Sequence, residues 1–256
     1  MIRDLLDWIQ GNKLLRRAAS IYDLKFKDLL LGEYKQKLTS KRLWPLFPEN
    51  QYSLNVCSFE AGANALSVYF GEQVSVKWLT AKAYQQGYCK KNGAATVEMF
   101  AKVARKFGVV FEKDLPSYEN EGWDNFIKVD FTKFDPIASQ NKIGSYYWCD
   151  TYLEVLQAID QGYAVSFGRD FYTPNPFVSP WIIGRNGTRV GPHATLVSGY
   201  KEVLFDILNS WGLDWGDKGH AYIPQGDIQK DIEVYGAVAI TPIPYTPKDI
   251  KIKNLL

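Results

Sequence analysis

Three side chains in this sequence combine into a chemistry that none of them has alone: Cys57, His193 and Asn209. A thiol attacks as its thiolate, so it needs a base to take its proton. An imidazole can be that base, and it needs a third group to fix its tautomer and ring orientation. Only 2 histidines are present, His193 and His220. His193 opens the apolar run Ala194-Thr195-Leu196-Val197, which reads as a strand, and the next predicted strand ends at Asn209. Two neighbouring strands can set His193 and Asn209 side by side at one end of a sheet.

Cys57 follows a polar, turn-prone stretch over 50–56 and begins an apolar run rich in alanine. That pattern places the thiol at or near the N-terminus of a buried helix, where unpaired N–H groups and the dipole favour thiolate. A cysteine in such a place is by itself more often a small core residue. His193 and Asn209 give it a different meaning.

In order and in wording these stretches resemble the papain-like cysteine peptidases. Asn-Ser-Trp-Gly-x-x-Trp-Gly-x-x-Gly runs in full from Asn209 to Gly219. His193-Ala194 leads through apolar residues to Gly199-Tyr200, and Asn50-Gln51 stands shortly before the cysteine as it does in that family. The resemblance covers residues 42–240. It implies an α+β, papain-like two-lobe fold: a mainly helical left lobe, an antiparallel β-barrel-like right lobe, and an active site in the cleft between them. It implies Cys57 as nucleophile, His193 as general acid–base, Asn209 as the group orienting the imidazole, and Trp211 as a shield over that hydrogen bond. Gln51, with the Cys57 N–H, would form the oxyanion hole. A resting thiolate–imidazolium pair would lower the cysteine pKa. The implied reaction is hydrolysis of peptide bonds through a thioester acyl-enzyme, with no cofactor and no metal. Gly93, Gly168 and Gly191 are expected beside the substrate.

The chain also departs from the family pattern. Asn55 replaces a glycine two residues before the nucleophile, and asparagine is among the residues that best tolerate positive φ. Ser58 stands where an aromatic usually follows the cysteine, and Pro192 replaces the commoner Asp or Asn before the histidine. Leu54 occupies a cysteine position, so Cys89 has no mate there, and the 89–94 loop lacks the paired glycines that bind substrate backbone. The expectation is an intact triad in a remodelled groove.

Apolar residues make up 46% and charged residues 23%, which excludes a disordered chain. The formal charge of +2 gives no reason to expect nucleic acid or an anionic membrane as partner. No stretch is apolar for long enough to span a bilayer, and the N-terminus, interrupted by Asp4 and Asp7, does not read as a secretory signal. Only 3 cysteines, with no metal-ligand spacing, point to a reducing compartment: the cytoplasm, or a particle assembled in one. His220, Cys149 and Trp215 read as structural.

The expected organisation is an N-terminal helical extension over 1–40, a peptidase domain over 41–240 and a tail over 241–256. Within the domain a helical lobe covers about 50–110 and a β lobe about 111–240. Helices are predicted over 57–70 (stopping at Gly71), 76–86, 97–107 with Thr96 as cap, and 151–161. Strands are predicted over 143–148, 163–167, 194–200, 203–209, 219–223 and 234–240, with a short extended piece at 109–111. Residues 171–192, with 4 prolines and 3 glycines, read as one long connection. The extension is shorter than the family's inhibitory prodomains and bears amphipathic helical patterning. It, or the tail, offers a docking element for an assembly partner such as a virus particle. Two other functions suit the same residues: a structural or binding component that keeps the triad, and an amide hydrolase acting on cell-wall peptides.

Overall fold

The computed structural model describes residues 24–29, 40–173 and 181–242. The rest of the predicted extension and the tail from 243 onward lie outside the described residues.

The helical side is built around α1, Cys57–Phe70, whose residues are buried from Cys57 through Ser67. A helix can sit this deep only if neighbouring elements come close on every side. Ala61, Gly62, Ala63 and Ala65 supply that narrow profile. The helix stops as predicted at Gly71, which takes the left-handed conformation (φ 74°) and returns its N–H to Ser67 O. Helix α2, Val76–Gln85, is capped by Ser75, whose Oγ accepts from Trp78 N–H at 3.1 Å. Helix α3, Met99–Lys106, begins two residues later than predicted, because Thr96 gives its carbonyl to Met99 and does not cap.

Two helices not predicted from the sequence follow: α4, Trp123–Phe126, and α5, Phe131–Ala138. Helix α5 carries a good start signal, Asp130, whose Oδ1 accepts from the N–H groups of Thr132 and Lys133. Pro136 inside the helix masks that signal in the sequence. What holds the helix is tertiary. The Lys82 ammonium, 2% exposed, pairs with Asp135 at 2.5 Å and lies over the Phe131 ring at 4.3 Å. Desolvating a lone ammonium costs several kcal/mol, so Lys82 and α5 depend on each other. Both helices pack back on the helical side, past residue 110.

The other side is an antiparallel sheet of seven strands in the order β2-β7-β3-β4-β5-β6, with β1 paired to β4. These are β1 Ser40–Arg42, β2 Ser145–Cys149, β3 Val165–Tyr172, β4 Arg189–Lys201, β5 Leu204–Leu208, β6 His220–Pro224 and β7 Ala237–Thr241. Helix α6, Tyr152–Asp160, lies within the predicted 151–161 and is capped by Thr151, whose side chain accepts from Glu154 N–H. The described part of the extension anchors here: Lys25 bridges Trp148, and Phe26 is fully buried.

The long connection is much shorter than predicted. Strand β3 runs on to Tyr172 and β4 starts at Arg189, so the expected 171–192 loop loses residues at both ends. The reading stopped β3 at 167 because Gly168-Arg169-Asp170 are poor strand formers. The strand continues because Arg169, fully buried, has an ion-pair partner in Asp231. Asp231 lies on α7, Gln225–Tyr235, a helix also absent from the prediction. Its buried stripe is Ile228, Asp231, Ile232 and Tyr235, and a carboxylate inside an apolar stripe hides the period.

Small size at Gly62 is a structural requirement. A Cβ there would lie 2.1 Å from Phe100 Cγ and 2.4 Å from Cδ1, so the ring and α3 would have to move. Alanine would bring about 1 kcal/mol of helix propensity, against an overpacking cost of typically 1–3 kcal/mol. Gly62→Ala is therefore expected to lower stability in urea unfolding, and a variant as stable as the parent would contradict this packing.

Candidate active site

Cys57 is the first residue of α1. The preceding residue, Val56, offers no side-chain cap, so the first-turn N–H groups are not spent on one. Backbone N–H groups of Ala194 and Ser58 favour the charged form of its sulfur. Ala194 follows His193 on β4, so this contact brings Cys57 to the strand that carries His193. Ser58 Oγ donates to Ala95 O at 3.3 Å, tying α1 to the chain entering α3.

His193 lies within β4 rather than opening a strand, opposite Arg169 of β3 in the register. Asn209 follows β5 directly. The two meet: His193 Nε2 and Asn209 Oδ1 are 2.7 Å apart. Asn209 Oδ1 also accepts from Ser210 N–H at 2.9 Å. Both neighbours of that atom are therefore donors, which fixes the amide orientation and places the imidazole proton on Nε2. Nδ1 remains the basic nitrogen. Trp211 stacks on the imidazole, with centroids 4.9 Å apart and planes at 29°. Phe171 meets the same ring edge-on at 5.5 Å, and Trp215 meets Trp211 at 5.5 Å. His193 and Asn209 are 3% and 2% exposed.

Gln51 is fully buried and doubly engaged. Its Nε2 donates to Leu54 O at 2.8 Å, and its Oε1 accepts from the Ser210 hydroxyl. One amide N–H thus holds the turn before Cys57, and the second is not spent on that bond. The left-handed residue in this turn is Tyr52 (φ 45°), not Asn55; Tyr52 N–H donates to Asn50 Oδ1 at 2.9 Å. Gly168 pairs with Ala194, and Gly191 with Phe171, so both lie on the two strands around His193. Gly93 (φ 88°) packs under the backbone of Asn55 and the Trp123 ring. Phe171 and Ser210 join the site without having been singled out. Ser210 sits inside the Asn-Ser-Trp motif, whereas nothing in the sequence marks Phe171.

Burial acts against one expectation. Burial pushes the Cys57 thiol up to about 11, against the pull of the N–H groups of Ala194 and Ser58. Burial also drives the His193 imidazole down to about 4, opposed by Asn209 and reinforced by Arg169. Cys57 is only 4% exposed, and desolvation penalises whichever form is charged. Both shifts run against the charge separation that a thiolate–imidazolium pair requires.

The remaining candidates are structural. His220 Nδ1 lies 2.7 Å from Asp206 Oδ1, and Asp206 Oδ2 accepts from Arg42 Nε at 2.5 Å, which ties β1 to the sheet. Cys57, Cys89 and Cys149 are all unpaired thiols. No helix among the described residues is long and apolar enough to cross a membrane.

No family model matches the sequence. The fold is similar to that of several solved structures. Xylellain, a cysteine protease from Xylella fastidiosa, aligns with a TM-score of 0.70 at 20% identity, over 92% of this chain and 97% of that one. Digestive procathepsin L 3 from the larval midgut of Tenebrio molitor gives 0.65 at 15%, over 93% and 78%. The Amb a 11 cysteine protease, a ragweed pollen allergen in its proform, gives 0.61 at 14%, over 88% and 71%. A helical side carrying Cys57, an antiparallel sheet carrying His193 and Asn209, and these likenesses lead to one assignment: the chain has the two-lobe α+β fold of the papain-like cysteine proteases.

Proposed function

We propose that this protein is a cysteine peptidase that hydrolyses peptide bonds in a peptide or protein substrate through a thioester acyl-enzyme. The observation that supports it most is the meeting at one place of Cys57, the strand of His193 and the His193–Asn209 hydrogen bond. In this reading His193 Nδ1 takes the thiol proton as Cys57 attacks the scissile carbonyl. The imidazolium then returns the proton to the leaving amine, and water repeats the sequence on the thioester. Asn209 holds the tautomer, and Trp211 and Phe171 keep water off that bond. The Cys57 N–H and the second N–H of Gln51 receive the oxyanion, each donor contributing about 3 kcal/mol to its stabilisation. Gly168 and Gly191 line the approach beside His193.

The burial of both groups sharpens the test. Charge separation is completed as the substrate arrives, so His193 should matter more for reactivity than the thiol's own acidity. An epoxide or iodoacetamide probe is expected to label Cys57 alone; Cys149 is fully buried, and burial pushes the Cys89 thiol up to about 12. Labelling should rise with pH through about 4 in the parent, and in His193→Gln should need pH values approaching 11. No labelling of the parent at any pH would leave a binding or structural role for the fold. Cleavage of peptidoglycan without general proteolysis would move the substrate to cell-wall peptides.

Burial of His193 also reaches stability. The unfolded chain takes up a proton near pH 6.5, whereas the folded chain does so only near 4. Unfolding is therefore favoured as pH falls through that window, by about 3 kcal/mol at its lower end. Urea unfolding at pH 7 and pH 4.5 is expected to show a smaller acid loss in His193→Gln than in the parent. Equal losses in the two proteins would mean that the imidazole titrates normally in the fold.

A further inference from the structure

We propose that Glu60 is a positioning residue for the triad, acting through one water molecule held in a small polar cavity behind Asn209. This rests on the peptidase reading above and adds a fourth member to its hydrogen-bonded chain.

The cavity lies between α1 and the β4–β5 pair, and Glu60, Asn64, Thr195, Asn209 and Ser210 contribute its polar lining. It has about 10 Å³ of room for a water's centre, enough for a single molecule. Asn209 is committed on its Oδ1 side, to His193 and Ser210. Its Nδ2 and Thr195 Oγ1 are buried and have no hydrogen-bond partner among the described residues. A buried polar atom left that way is costly, so two on one wall call for a shared partner.

Glu60 supplies the other end. It lies in the first turn of α1, one turn beyond Cys57, and is 1% exposed. It shares the buried part of α1 with Ser58, Asn64 and Ser67, and its carboxyl oxygens can accept from a donor in the cavity. One water accepting from Asn209 Nδ2 and donating to the Glu60 carboxyl, with Thr195 Oγ1 as third partner, satisfies the cavity wall. The chain then reads Glu60, water, Asn209, His193, and it starts on the helix that carries the nucleophile. Its effect is to hold the Asn209 amide plane, and with it the imidazole, at a fixed setting relative to Cys57.

The test uses the full chain and an epoxide inhibitor, separating the maximal inactivation rate from inhibitor affinity. Glu60→Met keeps the length of the side chain but removes the acceptor for the water. It is expected to lower the maximal inactivation rate about tenfold, the equivalent of one hydrogen bond, with affinity unchanged and Glu60→Asp partly restoring the rate. An unchanged rate, or a loss wholly in affinity, overturns the proposal. Asn209→Ala run alongside separates the two readings: if it too is unaffected, the triad reading fails first. A crystal structure of Cys57→Ala decides independently of activity and of the folding of any Glu60 variant. A water bonded to Asn209 Nδ2 and Glu60 is expected, and a cavity with no water there overturns the proposal.

Discussion

The hydrogen bond between His193 and Asn209 joins a residue within one strand to the residue following its neighbour, and it holds its geometry only where water cannot compete for either partner. Much of the surrounding structure serves that exclusion. Trp211 lies flat on the imidazole, Phe171 closes its edge, and Trp215 supports Trp211 from the side. Strand β3 must reach Phe171 to do this, past Gly168-Arg169-Asp170. It does so because Arg169 is buried against Asp231 of α7. The helix absent from the sequence reading is thus part of what lets the site's aromatic cover form.

The same exclusion has an electrostatic consequence. A dry site strengthens hydrogen bonds but penalises charge, and here it raises the thiol and lowers the imidazole together. The helix N-terminus favours thiolate by no more than about 2 kcal/mol even in a partly buried setting. That is too little to offset burial of a residue 4% exposed. A helix N-terminus favours thiolate most where the thiol is solvated; in this fold the thiol is desolvated, and burial opposes the dipole.

How much could be read in advance follows from how local each signal is. Helix α1 was legible because its alanines, its polar lead-in and Gly71 all lie within one stretch. The seating of Cys57, His193 and Asn209 on helix and strands was legible because the flanking residues are apolar in the right places. Helices α5 and α7 were not, for opposite reasons. In α5 a proline obscures a good cap, and the force that holds the helix is the Lys82–Asp135 pair, with its partners far apart in sequence. In α7 a buried carboxylate breaks the apolar period, and only the two arginines it meets in space, Arg169 and Arg185, explain it. Glu60 belongs to the same class: nothing local in the sequence marks the cavity it lines.

The turn before Cys57 shows how a fold can keep a geometry while its residues change. Asn55 replaces the family's glycine, and the expectation was that asparagine would bear the positive φ. Instead Tyr52 bears it, at 45°, a position a bulky side chain occupies only when its surroundings impose it. The imposition can be traced. Asn50 Oδ1 takes the Tyr52 N–H, and Gln51 holds Leu54 by both its carbonyl and its side-chain amide. Ser210 then takes the other end of the Gln51 side chain. Ser210 is also the residue whose N–H fixes Asn209. The turn before Cys57 and the amide bonded to His193 therefore share one serine. Asn55 itself has no positive φ, so the turn is held by the Gln51 and Ser210 side chains and not by backbone freedom at 55.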